Sequence, residues 1–461
     1  MLNTDEPRAD DLTSLRSQVR GPVYTPGDSE LPAEIATFNT AVAHHPAVVV
    51  GATGADDIAA AVRWAAARQL PVAVQATGHG AVVPVEDAML ITTHRMRQVT
   101  VDPQQRTAYI EAGARWRAVI EAAAKYGLAP LSGSSSSVGA VGYTLGGGVG
   151  LLGREYGFAA DHVLSVDLVT ADGQPRHVTA DTDPELFWAL RGGKGNFGIA
   201  TAMRVRLFPV AALYAGGIFF AASSAADVLH AYRGWASTLP ENASTSVALL
   251  RMPPLEQLPE PLRGKFVVHL RFSYHGPAAE GEDLLAPMRS AGAVVLEHVG
   301  ELPYEATDMV HQDPTDPMPV WERGGLLHSI EADTVDTLLK VAGPEVEVPL
   351  IMVEIRLLGG ALSRPASPPN AVAGREGAYS VYVIAPSPPP LKEIVPAVGG
   401  AVLEALGPWL MGTSLLNFLG AAATPQQVTA AWTPDIRTRL RAVKNSVDPG
   451  NLFRFGHAIG N

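Results

Sequence analysis

The chain has 461 residues, 47% of them hydrophobic and 17% charged, values that exclude intrinsic disorder over most of its length. With 34 basic against 46 acidic residues and a net charge of −12, it repels phosphate backbones and anionic membrane surfaces, so nucleic acid is not an expected partner. The absence of cysteine excludes disulfides, thiolate metal sites, iron–sulfur clusters and a cysteine nucleophile.

This length predicts two domains, or one large domain with a cap. Residues 1–30 read as a flexible lead-in, polar at first and ending in a Pro/Gly-rich stretch. No apolar signal-peptide core follows Met1, and no run of about 18 apolar residues suggests a membrane span, so the default expectation is a cytoplasmic protein. His44 and His45 have no spaced partner ligands, and no metal site is expected.

Val48–Val50 predicts a strand, and Ile58, Val62, Ala65 and Leu70 repeat at helical spacing behind Asp56 and Asp57, which can cap the helix. Pro71–Val74 returns as a strand, so 46–75 reads strand–helix–strand and leads into Gln75-Ala76-Thr77-Gly78-His79-Gly80. Gln98–Val101 and Ala108–Ala112 predict a hairpin, and Arg115–Tyr126 a helix closed by Gly127. Val163–Val169 and Arg176–Thr179 flank the turn Ala171-Asp172-Gly173. Asp183-Pro184-Glu185 opens a helix with Asp as N-cap and Pro at its first position, and Ile199–Leu207 alternates as a strand. From about 209, strand-like runs at Gly217–Ala221, Lys265–Tyr274, Leu350–Leu357 and Ser380–Ala385 alternate with helical stretches, which predicts an antiparallel sheet with helices. Ile436–Val447 is a final helix ended by Asp448-Pro449-Gly450-Asn451.

Three Gly-rich stretches, 76–80, 133–150 and 192–198, fall in the first half of the chain. Glycine lets successive backbone N–H groups approach phosphate oxygens with no Cβ in the way. Three such loops together imply a large phosphate-bearing cofactor. Gly148-Val149-Gly150-Leu151-Leu152-Gly153 spells GxGxxG, but a Ser/Gly-rich segment precedes it and no clear amphipathic helix follows, so a Rossmann site is not expected.

Gln75-Ala76-Thr77-Gly78-His79-Gly80 resembles the pyrophosphate loop that carries the histidyl–FAD bond in the berberine bridge enzyme family of vanillyl-alcohol-oxidase-type flavoproteins. Ser132–Gly150 resembles the second flavin loop of that family, with Val138-Gly139 and Gly146-Gly147-Gly148 in register. The run from Asp183 to Gly193, continuing through Gly195-Asn196-Phe197-Gly198, is the strongest match, and Arg439 to Phe453 resembles the C-terminal signature. The matches run from about 40 to 208 and from about 412 to 459. The resemblance implies an α+β fold with a PCMH-type two-part FAD-binding domain and a substrate domain whose antiparallel sheet is backed by helices. The expected divisions are 31–208 for the FAD-binding domain, 209–410 for the substrate domain and 411–461 for a C-terminal segment returning to the first.

It assigns cofactor contact to Ala76, Thr77, Gly78, His79, Gly80, Ala81, Ser132, Gly133, Ser135, Ser136, Val138, Gly139, Gly142, Tyr143, Gly147, Gly148, Gly195, Asn196, Gly198, Ile199, Asn417 and Asn451, with His79 as the covalent tether. Three positions depart from the family pattern. Ser135 stands where bicovalent members have Cys, Thr77 replaces the first Gly of Gly-Gly-His, and Leu415 stands where many members have a substrate-side Tyr.

Oxidation of an alcohol or amine needs a base for the proton that accompanies hydride loss. Candidates on the predicted sheet are Glu354 and Arg356, two apart and so on one face, with Tyr382 and Tyr379 as further candidates and His311 and His328 as weaker ones. Ser134–Ser137 read as hydrogen-bond donors to the cofactor, with no paired His that would make one a nucleophile. The expected function is an FAD-linked oxidase or dehydrogenase taking a hydride from a C–H of a small alcohol or amine in specialised metabolism. O2 is a candidate electron acceptor, and the protein is a monomer or homodimer. The alternative is a flavin-containing cyclase without redox turnover, suggested by Leu415 and the lack of an obvious base.

Overall fold

Four short apolar runs make the first sheet of the computed structural model, which describes residues 9–459. Strands β1 (Val23–Tyr24), β2 (Val48–Gly51), β3 (Val72–Gln75) and β4 (Met89–Thr92) lie in the order β1-β2-β4-β3. The last three are parallel, joined through the helix Ala55–Ala66, whereas β1 pairs antiparallel with β2. Every β2 residue is buried, as a strand between neighbours beneath a crossover helix requires.

The lead-in differs from the expectation. Residues 1–8 lie outside the described residues, but a helix spans Ala9–Gln18 and buries Leu15 in the core of the first sheet. Only Leu12, Leu15 and Val19 are apolar at helical spacing in this polar stretch, so the signal was weak. Asp57 fixes the following turn: its carboxylate accepts from the N–H groups of Arg20, Gly21 and Thr53. The helix N-cap itself is Gly54.

Strands β5 (Val99–Asp102), β6 (Thr107–Glu111), β7 (Val163–Val169), β8 (Pro175–Val178) and β9 (Ile199–Arg206) form a second, antiparallel sheet in the order β5-β6-β9-β7-β8. Both expected hairpins are present. Over it packs the helix Pro184–Gly193, where Asp183 accepts from the Leu186 N–H. Its end needs glycine: Gly192 has φ +123°, and a Cβ there would lie 2.4 Å from the backbone of Ala371 and Val372.

The third sheet draws β10 (Ala212–Ala221), β11 (Ala243–Arg251), β12 (Phe266–Tyr274), β13 (Val294–Pro303), β14 (Val320–Leu327), β15 (Met352–Leu357) and β16 (Tyr379–Pro386) into the order β13-β10-β12-β11-β15-β16-β14. All its pairings are antiparallel. The period of two sorts its faces. Val247, Leu270, Ile355 and Val381 turn to a core shared with the helices Ala225–Ala236, Ala332–Ala342 and Val395–Ala405. The alternate positions include Ser246, His269, Arg271, Glu354, Arg356 and Tyr382.

The tail crosses back to the first two sheets. Leu452 and Phe453 join the core of the first sheet, and the helix Pro434–Val447 lies against Pro184–Gly193 through Leu440 and an Arg439–Glu185 ion pair. Among the described residues no helix is long and apolar enough to cross a membrane.

Candidate active site

Strand β3 delivers the loop 76–81, and two backbone features shape it. Gly78 has φ +76°, and a Cβ there would stand 2.9 Å from the Thr37 Cα. His79 stacks on Phe38 with ring centroids 4.1 Å apart. Its Nδ1 lies 3.0 Å from the Thr77 hydroxyl and its Nε2 3.3 Å from that of Ser137. Burial and the nearby Arg115 push the imidazole down to about 4, so it is neutral near pH 7. Among the described residues, the N–H groups of Thr77, Gly78, His79 and Gly80 have no hydrogen-bond partner. The Ala81 N–H, in contrast, is taken by the Gly78 carbonyl.

The second loop meets the first at His79 and again where the Gly139 N–H donates to the Thr77 hydroxyl. Val138 packs partly buried beside it. The Tyr143 ring occupies space that side chains on Gly133 and Gly148 would fill, its atoms lying 2.8 and 2.4 Å from their Cβ positions. Its hydroxyl is buried without a partner, and burial pushes its pKa up. The serines divide. Ser132 bonds Tyr304, Ser134 donates to Asp313, and Ser136 gives both its N–H and its hydroxyl to Asp308. The Ser132 and Ser136 hydroxyls each have a partner within the protein. Ser135 and Ser137 bond each other beside His79.

Gly147 and Gly148 both have positive φ. The GxGxxG stretch follows the helix Ala140–Leu145 and precedes a single helical turn, Gly153–Tyr156, which removes the Rossmann reading.

In the third loop Asn196 is committed to the tail: its amide donates to the Gly193 and His457 carbonyls and accepts from the Ile459 N–H. Gly198 sits where a Cβ would approach the Val169 carbonyl to 2.6 Å, and Ile199 is wholly buried in β9. These three residues join chain segments, while Gly195 and Gly142 face open space. Asn417 donates to the Tyr143 carbonyl at 2.8 Å. Asn451 takes φ +50° in the turn where its N–H bonds the Asp448 carbonyl.

On the third sheet, Glu354 and Tyr382 are register partners across β15 and β16, yet their side chains serve different groups. Glu354 accepts from Arg271 at 2.7 Å and from Arg356 at 3.1 Å, with His311 at 3.8 Å. Burial raises its pKa, but Arg356 and Arg271 outweigh it and hold the carboxyl far below the usual range. So low a pKa makes Glu354 a poor proton acceptor. Tyr382 instead donates to Glu322 at 2.6 Å and packs edge-on against Phe418. Burial pushes the Glu322 carboxyl upward against the opposing pull of Tyr382 and Lys194. Burial lowers Lys194 to about 8. Tyr379 lies on the core face and His328 is exposed, bonded to the Pro408 carbonyl.

Sequence reasoning missed Glu322, Arg271 and Lys194. Trp321-Glu322-Arg323 reads as an ordinary alternating strand, and only the pairing of β14 with β16 sets Glu322 beside Tyr382. Leu415, buried, lines a small pocket together with Gly146, Gly148, Asn417 and Phe418.

The donor set fits a dinucleotide cofactor. Four consecutive N–H groups in the loop 77–80 have no partner among the described residues and are free for pyrophosphate oxygens, and the Tyr143 hydroxyl and Arg356 Nε are buried with no partner among them.

Residues 46–179 match the FAD binding domain family model. The chain is similar to the uncharacterized FAD-linked oxidoreductase YgaK of Bacillus subtilis, 25% identical with 96% of this chain and 98% of that protein covered. It is also 26% identical to (R)-6-hydroxynicotine oxidase of Paenarthrobacter nicotinovorans, over 96% of this chain and 97% of that one. Among solved structures, 6-hydroxy-D-nicotine oxidase from Arthrobacter nicotinovorans superposes with a TM-score of 0.80 at 24% identity, covering 96% of this chain and 98% of that one. The Physcomitrella patens BBE-like 1 protein superposes with a TM-score of 0.84 at 18% identity, covering 97% and 99%. The chain is thus an FAD-linked oxidoreductase with an FAD binding domain at residues 46–179, and its fold is that of 6-hydroxy-D-nicotine oxidase and the BBE-like 1 protein.

Proposed function

We propose that the protein oxidises a small molecule at a C–H bond next to an alcohol or amine, with FAD tethered through His79. The observation that carries this reading is His79 itself: a neutral imidazole held by Phe38, Thr77 and Ser137 at the end of a run of unpaired N–H groups. A neutral ring keeps a nitrogen lone pair for bonding to a flavin methyl carbon, and a histidyl link raises the potential and retains the cofactor. Thr77, Gly78, His79 and Gly80 would hold the pyrophosphate through their N–H groups, with Gly142 and Gly195 leaving room alongside. Bound FAD supplies a two-electron acceptor for hydride, with O2 a candidate for its reoxidation.

The chain's own residues then manage the proton. Glu322 receives it through the Tyr382 hydroxyl, which takes the substrate O–H or N–H proton while passing its own to the carboxylate. This pair supplies the acceptor whose apparent lack suggested a cyclase, and it offsets Leu415 standing where many relatives have Tyr. The likeness to (R)-6-hydroxynicotine oxidase supports a small-molecule substrate.

The test is acid precipitation of the purified protein. Colour retained in the pellet, and lost to the supernatant in His79→Ala, supports the tether. Flavin released from the wild type removes the covalent claim, and a protein whose flavin is not reduced by any donor removes the oxidase reading.

A further inference from the structure

Beside the proton-handling pair, the third sheet gathers positive charge that hydride transfer does not use. Ser246 on β11 is the register partner of both Arg271 on β12 and Arg356 on β15, so one row of the sheet carries two guanidiniums. One carboxylate, Glu354, answers both. His311 adds no compensating charge: burial, Arg271 and Arg356 push its imidazole well down, and it stays neutral. Arg154 lines the same cavity and spends its guanidinium on the carbonyls of Leu239, Pro240, Ala243 and Leu358. The other carboxylate acting on Arg356 is Asp313, which already accepts from Ser134.

Between this row and the backbone of Val149–Leu151 lies a small pocket that opens to solvent. Two donors buried beside it, Arg356 Nε and His311 Nδ1, have no partner among the described residues. Buried guanidinium and imidazole donors left unpaired are costly unless an acceptor completes them. The forked geometry of arginine selects a planar two-oxygen acceptor.

We infer that the cavity receives a carboxylate of the substrate, so that the oxidised molecule is a small organic acid. The inference rests on the reading above, in which the loop 132–150 holds the flavin against this sheet. The anchored Glu354 then sets the spacing of the two guanidiniums, and the acid group fixes which C–H faces the flavin.

The purified yellow protein is titrated with acetate, lactate and benzoate, each against its neutral amide. Binding is followed by the visible flavin spectrum and by calorimetry. At least one acid is expected to bind about tenfold or more tightly than its amide, as a charge-assisted pair implies. Arg356→Gln should erase that preference, and Glu354→Gln, which removes the competing carboxylate, should tighten acid binding. Should Arg356→Gln not fold, Arg271→Gln replaces it and the wild-type comparison still decides. Equal binding of acid and amide in all three pairs, or no binding of any, overturns the inference while the yellow colour leaves the flavin reading standing. Acid preference by calorimetry in a protein whose flavin no donor reduces would sink the redox reading alone.

Discussion

Tyr382 and Glu322, on paired strands 60 residues apart, share a 2.6 Å hydrogen bond in which the phenol donates to a carboxyl that burial has pushed upward. Register aligns Tyr382 with Glu354 and Gly324, so its side chain reaches Glu322 by a diagonal across β14 and β16. The preference has a physical cause: Glu354 is saturated by two guanidiniums, whereas Glu322 has only Lys194 nearby.

Tyr382→Phe and Glu322→Gln should each lower kcat by about 10²- to 10³-fold with flavin content unchanged, the usual range for a lost proton acceptor. The sign with pH follows from the raised Glu322. Only the ionised form accepts a proton, so kcat/KM should fall as pH drops through its elevated pKa. Glu322→Gln should abolish that acid limb; a limb persisting unchanged in the variant would assign it elsewhere.

Two glycines of the second loop separate protein packing from cofactor space. A Cβ on Gly150 would lie 1.7 Å from the Ser132 carbonyl oxygen, whereas one on Gly142 meets nothing within 4 Å. Gly150→Ala should cost about 3 kcal/mol or prevent folding. Gly142→Leu should leave thermal stability of the flavin-free protein near wild type while reducing flavin content, read from the ratio of visible to ultraviolet absorbance. Full flavin loading in Gly142→Leu would place the cofactor away from this helix start.

The ordered N-terminal segment depends on Asp57. Burial raises its pKa, but hydrogen bonds from Arg20, Thr53 and Gly21 outweigh burial and hold it below the ordinary value. A depressed folded pKa contributes stability above the unfolded carboxylate pKa of about 3.9, and that stability is lost as pH falls through the folded value. Asp57→Asn should destabilise by about 1–3 kcal/mol near pH 7, with the difference shrinking toward pH 3. Denaturant midpoints measured across that range check it.

One lysine ties the turn of the tail to the third loop. Lys444 Nζ donates to the Asn196 and Phe453 carbonyls and to the Asp448 carboxylate. Lys444→Met leaves Asp448 buried and unpaired, which should cost about 3–5 kcal/mol. Limited proteolysis should then cut the 448–459 segment ahead of the rest of the chain.

Much of the fold was readable because local rules carry it. Asp183-Pro184 opens a helix by capping chemistry, Asp172-Gly173 turns a hairpin, and the alternating runs of 212–386 repeat at period two, so each element follows from neighbours in sequence. The Gly-rich loops were legible for the same reason, since glycine at 78 and 192 answers a backbone requirement at its own position.

What the chain could not reveal locally was who faces whom. The N-terminal helix is held by Leu15, whose burial depends on a core assembled from residues up to Phe453. Ser136 meets Asp308, a partner 172 residues away that no local pattern announces. Glu354 and Glu322 are equivalent acids in a strand pattern, and only the tertiary structure sets two arginines against one and a tyrosine against the other. Sequence determined the elements and the cofactor class because those rest on backbone geometry at short range. Tertiary structure decided the charge states, because a pKa depends on burial and on partners that distant strands supply.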